Sequence, residues 1–146
     1  MNSLDVILAL YAFLGAAITV ATCLSKSHKT QNTLSVILPA CYLALTLYTL
    51  TASLPAFGLG SNYFLIDHLS VFEILIAATL FLLAAVYSRQ FVKDSIFIHE
   101  MDESNLKLYY AAFNMLLMAV VYVFLADNLA LFWILAELTT AFSAVL

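Results

Sequence analysis

Residues 127–146, DNLALFWILAELTTAFSAVL, read as a membrane helix with one acid in its middle. Asp127 and Asn128 are good N-cap residues at a helix start. After them the stretch is apolar or small except for Glu137, Thr139, Thr140 and Ser143. Nine residues separate Asn128 from Glu137. At ~1.5 Å of rise per residue the acid lies roughly 13–14 Å along the helix, near the middle of a ~30 Å hydrocarbon core. A carboxylate at that depth is costly, so it is expected to face a bundle interior or a water-filled path.

Working outward, composition points to the same class. Hydrophobic residues make up 65% of the 146 and charged residues 10%. That balance predicts an all-α, polytopic membrane protein forming a single membrane domain over 1–146. The net charge of −4 matters less than where the charges sit. Five Lys and Arg with no basic stripe argue against nucleic acid as a partner. Cys23 and Cys41 fall in apolar stretches without a CxxC or a nearby His cluster, which predicts buried thiols rather than ligands or a disulfide.

Five hydrophobic runs are each near the ~20 residues needed to span. They predict helices at about 4–24, 34–54, 69–87, 107–126 and 128–146. The first begins MNSLD, with an acid and no Lys or Arg, so it reads as a retained anchor rather than a signal peptide. Gly15, Ala16, Ala17 and Thr19 are small enough for close helix contact. Residues 25–33, SKSHKTQNT, form a polar loop in which His28 reads as solvated, with no second metal ligand at useful spacing. Pro39 falls near the start of the second run, where a missing N–H costs least, and Pro55 ends it. Gly58, Gly60, Ser61 and Asn62 make a turn-rich loop.

The third run opens with Ser70-Val71-Phe72-Glu73, which fits an S-x-x-E capping box; Asp67 could serve the same end. Glu73 therefore reads first as a cap at the water interface and second as a proton carrier. Tyr63, Phe64 and His68 suit headgroup level. Residues 88–106 read as the longest polar loop, with Ile96, Phe97 and Ile98 lying along the interface. Within it His99-Glu100-Met101-Asp102-Glu103 matches no standard metal spacing, and Asp102, Glu103 and Ser104 suit the acidic first turn of a helix. Asn114 is the strongly polar residue inside the fourth run.

Lys26, Lys29, Arg89, Lys93 and Lys107 are all the basic residues. They fall in the first and third loops and at the exit of the third. The positive-inside rule then places those loops in the cytoplasm and the N-terminus outside, with Leu146 at the cytoplasmic face. The last run has no basic or polar exit, which predicts that a partner covers this end or that the chain continues.

Burial of Glu137 would raise its pKa and a nearby cation would lower it, a balance that suits a proton relay. Thr140, one turn on, could hydrogen-bond the carboxyl or a water beside it. Trp133, one turn back, packs or shields. The alternative is a protonated Glu137 making one interhelical hydrogen bond. No other predicted helix interior carries Lys, Arg or His. With no nucleophile–base pair, phosphate loop or metal constellation, the chain is expected to have no redox or hydrolytic site and no cofactor of its own.

Residues 126–146, ADNLALFWILAELTTAFSAVL, resemble the fifth helix of proton-translocating, antiporter-like membrane subunits. Such subunits occur in respiratory complex I, in multisubunit cation/proton antiporters and in membrane-bound hydrogenases. The likeness is strongest to the antiporter-like subunit of hydrogenase-4 and formate-hydrogenlyase-type complexes, in which paired threonines follow the acid as in Glu137-Leu138-Thr139-Thr140. Phe64-Leu65-Ile66-Asp67-His68-Leu69-Ser70 is similar to the family's F-x-x-D-x-L-S lead-in to helix three. Tyr109-Tyr110-Ala111 is similar to its Y-Y-A opening of helix four. The three patches cover about half of the chain.

The resemblance implies that Glu137 is the membrane glutamate of proton translocation, with Thr140, Asp67 and Glu73 as weaker participants. It implies a later-helix lysine partner that this sequence does not contain. It further implies that the chain supplies the three leading helices and the first two of a five-helix bundle. The expected partners are the lipid bilayer and other membrane subunits of a redox-driven ion-pumping complex in a prokaryotic cytoplasmic membrane. Two other readings stand beside it: a short, non-pumping accessory or anchor subunit, and a small independent cation/proton transporter.

Overall fold

The computed structural model describes residues 3–25, 27–51, 59–60, 63–97 and 103–146. Five helices dominate: α1 (Ser3–Leu24), α2 (His28–Thr51), α3 (His68–Phe97), α4 (Glu103–Leu125) and α5 (Leu129–Val145). α1, α2, α3 and α4 are long and apolar enough to cross a membrane. α5 is an apolar helix of 17 residues, at the short end of the spanning range. The architecture is compatible with a multi-pass integral membrane protein.

Burial follows the logic of a lipid solvent. Large apolar side chains such as Phe13, Val20, Leu80 and Tyr87 lie on the outside. The buried face of α2 instead runs Gln31, Ser35, Leu38, Pro39, Tyr42, Thr46, Thr49. Apart from adjacent Leu38 and Pro39, the steps of three and four keep one face inward, and five of the seven carry an amide or hydroxyl. Polar groups in a bundle immersed in hydrocarbon must be satisfied inside, whereas the outer faces need only be apolar.

At the centre, the Thr46 hydroxyl donates to the Tyr42 carbonyl at 2.7 Å. The Tyr11 hydroxyl, 2.8 Å from Thr46 Oγ1, is therefore the donor of that pair. The Tyr42 hydroxyl donates back to the Tyr11 carbonyl at 2.7 Å, and the two rings meet edge to face at 5.0 Å. Apolar Ile7, Leu38, Ile74, Leu117 and Val121 close around them. Gly15 makes the approach possible, because a Cβ there would run into the Tyr42 hydroxyl and the Met118 side chain. The close contact expected of the small residues of α1 holds for Gly15 and Thr19, whereas Ala16 and Ala17 face outward.

A miniature antiparallel hairpin, β1 (Leu59–Gly60) with β2 (Leu65–Ile66), pairs Leu59 with Ile66 and Gly60 with Leu65. Ile66 enters the core. Phe64 bridges to Ala126, and the Asp127 N–H donates to the Tyr63 carbonyl at 2.9 Å. The hairpin thus ties the start of α3 to the α4–α5 turn. Tyr63 and His68 are exposed, and Phe64 packs edge-on against Tyr122 at 5.8 Å.

Several boundaries differ from the sequence expectations. α2 starts at His28, not 34, because Gln31 Nε2 reaches back to the Ser25 carbonyl at 2.8 Å and Gln31 N–H bonds Ser27 at 3.0 Å. His28 is thus a helix residue rather than a loop residue, and Pro39 sits in the interior of α2. α3 continues to Phe97, so most of the expected 88–106 loop is helix. Its charged residues suggest a loop, yet Ala85, Ser88 and Val92 keep a buried stripe. Val92 packs with Leu106 and Tyr110 of α4, and Ser88 Oγ meets the Tyr109 hydroxyl at 2.9 Å. Cys23 is exposed and Cys41 half-buried, correcting the expectation of buried thiols; an outward thiol is apolar enough to face lipid. Lys26, Pro55, Gly58, Ser61, Asn62 and the stretch Ile98, His99, Glu100, Met101, Asp102 lie outside the described residues.

Candidate functional site

Asn128 caps α5, accepting from the N–H groups of Ala130 at 2.9 Å and Leu131 at 3.3 Å. This fixes the helix start and hence the turn on which each later side chain stands. α5 packs on α4, and none of its residues is buried. Glu137 is exposed on α5. It lines a shallow groove of about 230 Å³ with Leu129, Phe132, Trp133, Ala136 and Thr140.

Among the described residues, one donor reaches the carboxylate: Trp133 Nε1 donates to Glu137 Oε1 at 3.2 Å. Trp133 is therefore a hydrogen-bonding partner and not merely a shield. Its spacing of four residues, one helical turn, is the signal available in the sequence. Thr140 shares the groove, but its hydroxyl donates to the Ala136 carbonyl at 3.2 Å, not to Glu137. Thr139 donates to the same carbonyl at 2.7 Å. Both threonines thus satisfy themselves on their own helix, a common resting state for hydroxyls in apolar surroundings.

The other two acids stand elsewhere. Asp67 Oδ1 accepts from the Ser70 N–H and from the Ser70 hydroxyl, each at 2.7 Å. The cap of α3 is therefore Asp67, with Ser70 as a donor, and the S-x-x-E box does not form. Those bonds from the Ser70 N–H and hydroxyl hold the Asp67 carboxyl below the usual carboxylate range. Glu73, freed from capping, is half-buried in the second turn and lines an apolar groove of about 350 Å³ with Ile76, Ala77, Leu80, Phe81, Val120 and Phe124. The structure joins Asp67 to Ser70 and Glu137 to Trp133; it forms no direct hydrogen bond among the three acids within the described residues.

No group of three or more His, Cys, Asp or Glu side chains able to hold a metal ion occurs among the described residues. Comparison with protein-family models, curated proteins and solved structures finds no match.

Proposed function

We propose that this chain is an antiporter-like, proton-translocating membrane subunit of a hydrogenase-type or complex I-like redox assembly in a prokaryotic cytoplasmic membrane, with Glu137 as the relay. The observation that carries this reading is the exposed carboxylate of Glu137 on a helix that is otherwise apolar. An ionised group in lipid is too costly to leave uncovered, so that face calls for a neighbouring subunit or helix that brings a cation or water. Support also comes from the resemblance of residues 126–146 to the family's glutamate helix. The distribution of Lys and Arg supports an orientation with the first and third connections in the cytoplasm, with α5 as a fifth span.

In this reading Glu137 takes up and releases one proton per cycle, and Trp133 steadies the carboxylate between transfers. Asp67 is a cap, and Glu73 stands as a second acid along the α3–α4 groove. The test is Glu137→Gln in the native assembly, with proton uptake by inverted membrane vesicles measured beside electron transfer. Loss of proton uptake with electron transfer partly retained is the expected result; unchanged uptake overturns the role.

The outward face of α5 also favours an anchor or assembly subunit. Under that reading Glu137→Gln lowers the yield of intact complex and leaves proton uptake per complex unchanged.

A further inference from the structure

Independently of Glu137, we infer that the outer face of α3 binds a membrane lipid with a primary ammonium headgroup. The ammonium rests on the Glu73 carboxylate, and the two hydrocarbon chains lie on either side of a ridge made by Ile76 and Leu80.

Glu73 is half-buried five residues into α3, roughly 7–8 Å from the helix start at ~1.5 Å per residue. Among the described residues no hydrogen bond or ion pair reaches its carboxylate. Cα–Cβ bonds tilt toward a helix N-terminus, so the side chain rises out of the α3–α4 groove toward the rim that carries the hairpin. That rim is acidic. Asp5 stands at the start of α1, which meets β1, Asp67 caps α3, and Asp127 follows α4. The connection 52–62 adds no charged residue, and the five Lys and Arg, at 26, 29, 89, 93 and 107, all belong to the opposite rim. A carboxylate at this depth calls for a cation, and no lysine or arginine of residues 1–146 supplies it.

The surface below Glu73 has the shape of a two-chained ligand. Ile76 and Leu80, 45% and 60% exposed, stand one turn apart and form an outward ridge. On one side of it lies the groove of about 350 Å³ that Glu73 heads. On the other lies a second apolar groove of about 180 Å³, between the same ridge and Leu75 and Thr79. The Thr79 hydroxyl donates to the Leu75 carbonyl at 2.8 Å, so it is already spent on its own helix. From Glu73 to Leu80 is roughly 10 Å along α3, most of one leaflet of a ~30 Å core.

One charge above two parallel apolar channels is the outline of a diacyl lipid. A partner helix, ~10–12 Å across, would ride on the ridge and leave both channels empty. Charge then selects the headgroup. The acidic rim repels a net anionic lipid, whereas a primary ammonium brings N–H donors for a charge-assisted bond to Glu73. A choline headgroup brings the charge without the N–H.

The test is native mass spectrometry of the protein extracted from native membranes in mild detergent with its companions. It is offered equal amounts of dioleoyl phosphatidylethanolamine, phosphatidylcholine and phosphatidylglycerol. The expected result is about tenfold more adduct with the ethanolamine lipid than with either other, the worth of one charge-assisted hydrogen bond. Glu73→Gln, which breaks no bond inside the chain, should remove most of that preference. Ala77→Leu, which fills the larger groove, should lower all three adducts alike. Because the first readout is a ratio between lipids, partial misfolding of a variant does not alter it. Equal binding of the three lipids by the native protein overturns the inference, as does a preference that survives Glu73→Gln. Binding of none of them until a companion subunit is stripped away also overturns it, since a protein group then covers Glu73.

Discussion

Trp133 donates its indole N–H to the carboxylate of Glu137 across one turn of α5, at 3.2 Å. It is the sole tryptophan of the chain, so its emission reports on this one acid. Indole emission of the chain, purified in detergent, is expected to shift in Glu137→Ala, where the indole N–H loses its acceptor. An identical spectrum in the variant would show that the indole does not sense this carboxylate.

Asp67 carries a pH signature. Its carboxyl is held below its ordinary value of 3.8, chiefly by the Ser70 N–H. A depressed folded-state pKa means that the unfolded chain binds the proton more readily. The stabilisation is therefore complete above pH 3.8 and is lost as the pH falls through the depressed value. Asp67→Asn keeps a capping oxygen without the titration, so its stability should fall less on acidification than that of the native chain. Asp67→Ala removes the cap and is expected to cost about 0.5–2 kcal/mol at neutral pH. Parallel acid-induced losses in native and Asp67→Asn protein would refute the assignment.

Gly15 tests the centre of the bundle. A methyl group there meets the Tyr42 hydroxyl and Met118, and Tyr42 cannot withdraw without giving up its bond to the Tyr11 carbonyl. Gly15→Ala should therefore destabilise by about 1–3 kcal/mol, the usual cost of overfilling a packed site. Ala16→Leu, on the outward face of α1, should be close to neutral. Thermal or detergent unfolding of the two variants makes the comparison, and equal stability would mean that α1 and α2 do not meet at Gly15.

Long apolar runs make the helices legible, since a stretch such as FLLAAVY has few alternatives in a spanning protein. The ends are less legible because polar residues, weighed singly, point to loops. Arg89 and Gln90 look like loop residues, yet Ala85, Ser88 and Val92 continue the inward stripe between them. Gln31 reads as a loop residue too, but its amide closes on the Ser25 carbonyl, a contact set by the turn and not by local propensity. At the candidate site the N-cap at Asn128 can be read from the chain. The outward aim of Glu137 cannot, because the face that a helix turns to lipid or to a partner depends on its neighbours. The Asp67 cap stands in the sequence as the alternative to the S-x-x-E box, and the bonds from Ser70 decide between the two.

α3 runs for 30 residues without a glycine or proline. Such a helix has no built-in joint, so mechanically it is a strut. One end is fastened to the β1–β2 hairpin side through the Asp67 cap, and the other grips Leu106 and Tyr110 through Val92. A push on the Val92 end is therefore delivered along its axis to the Asp67 end with little lost to bending. Whatever seizes the strut at one rim of the bundle holds a handle on the other.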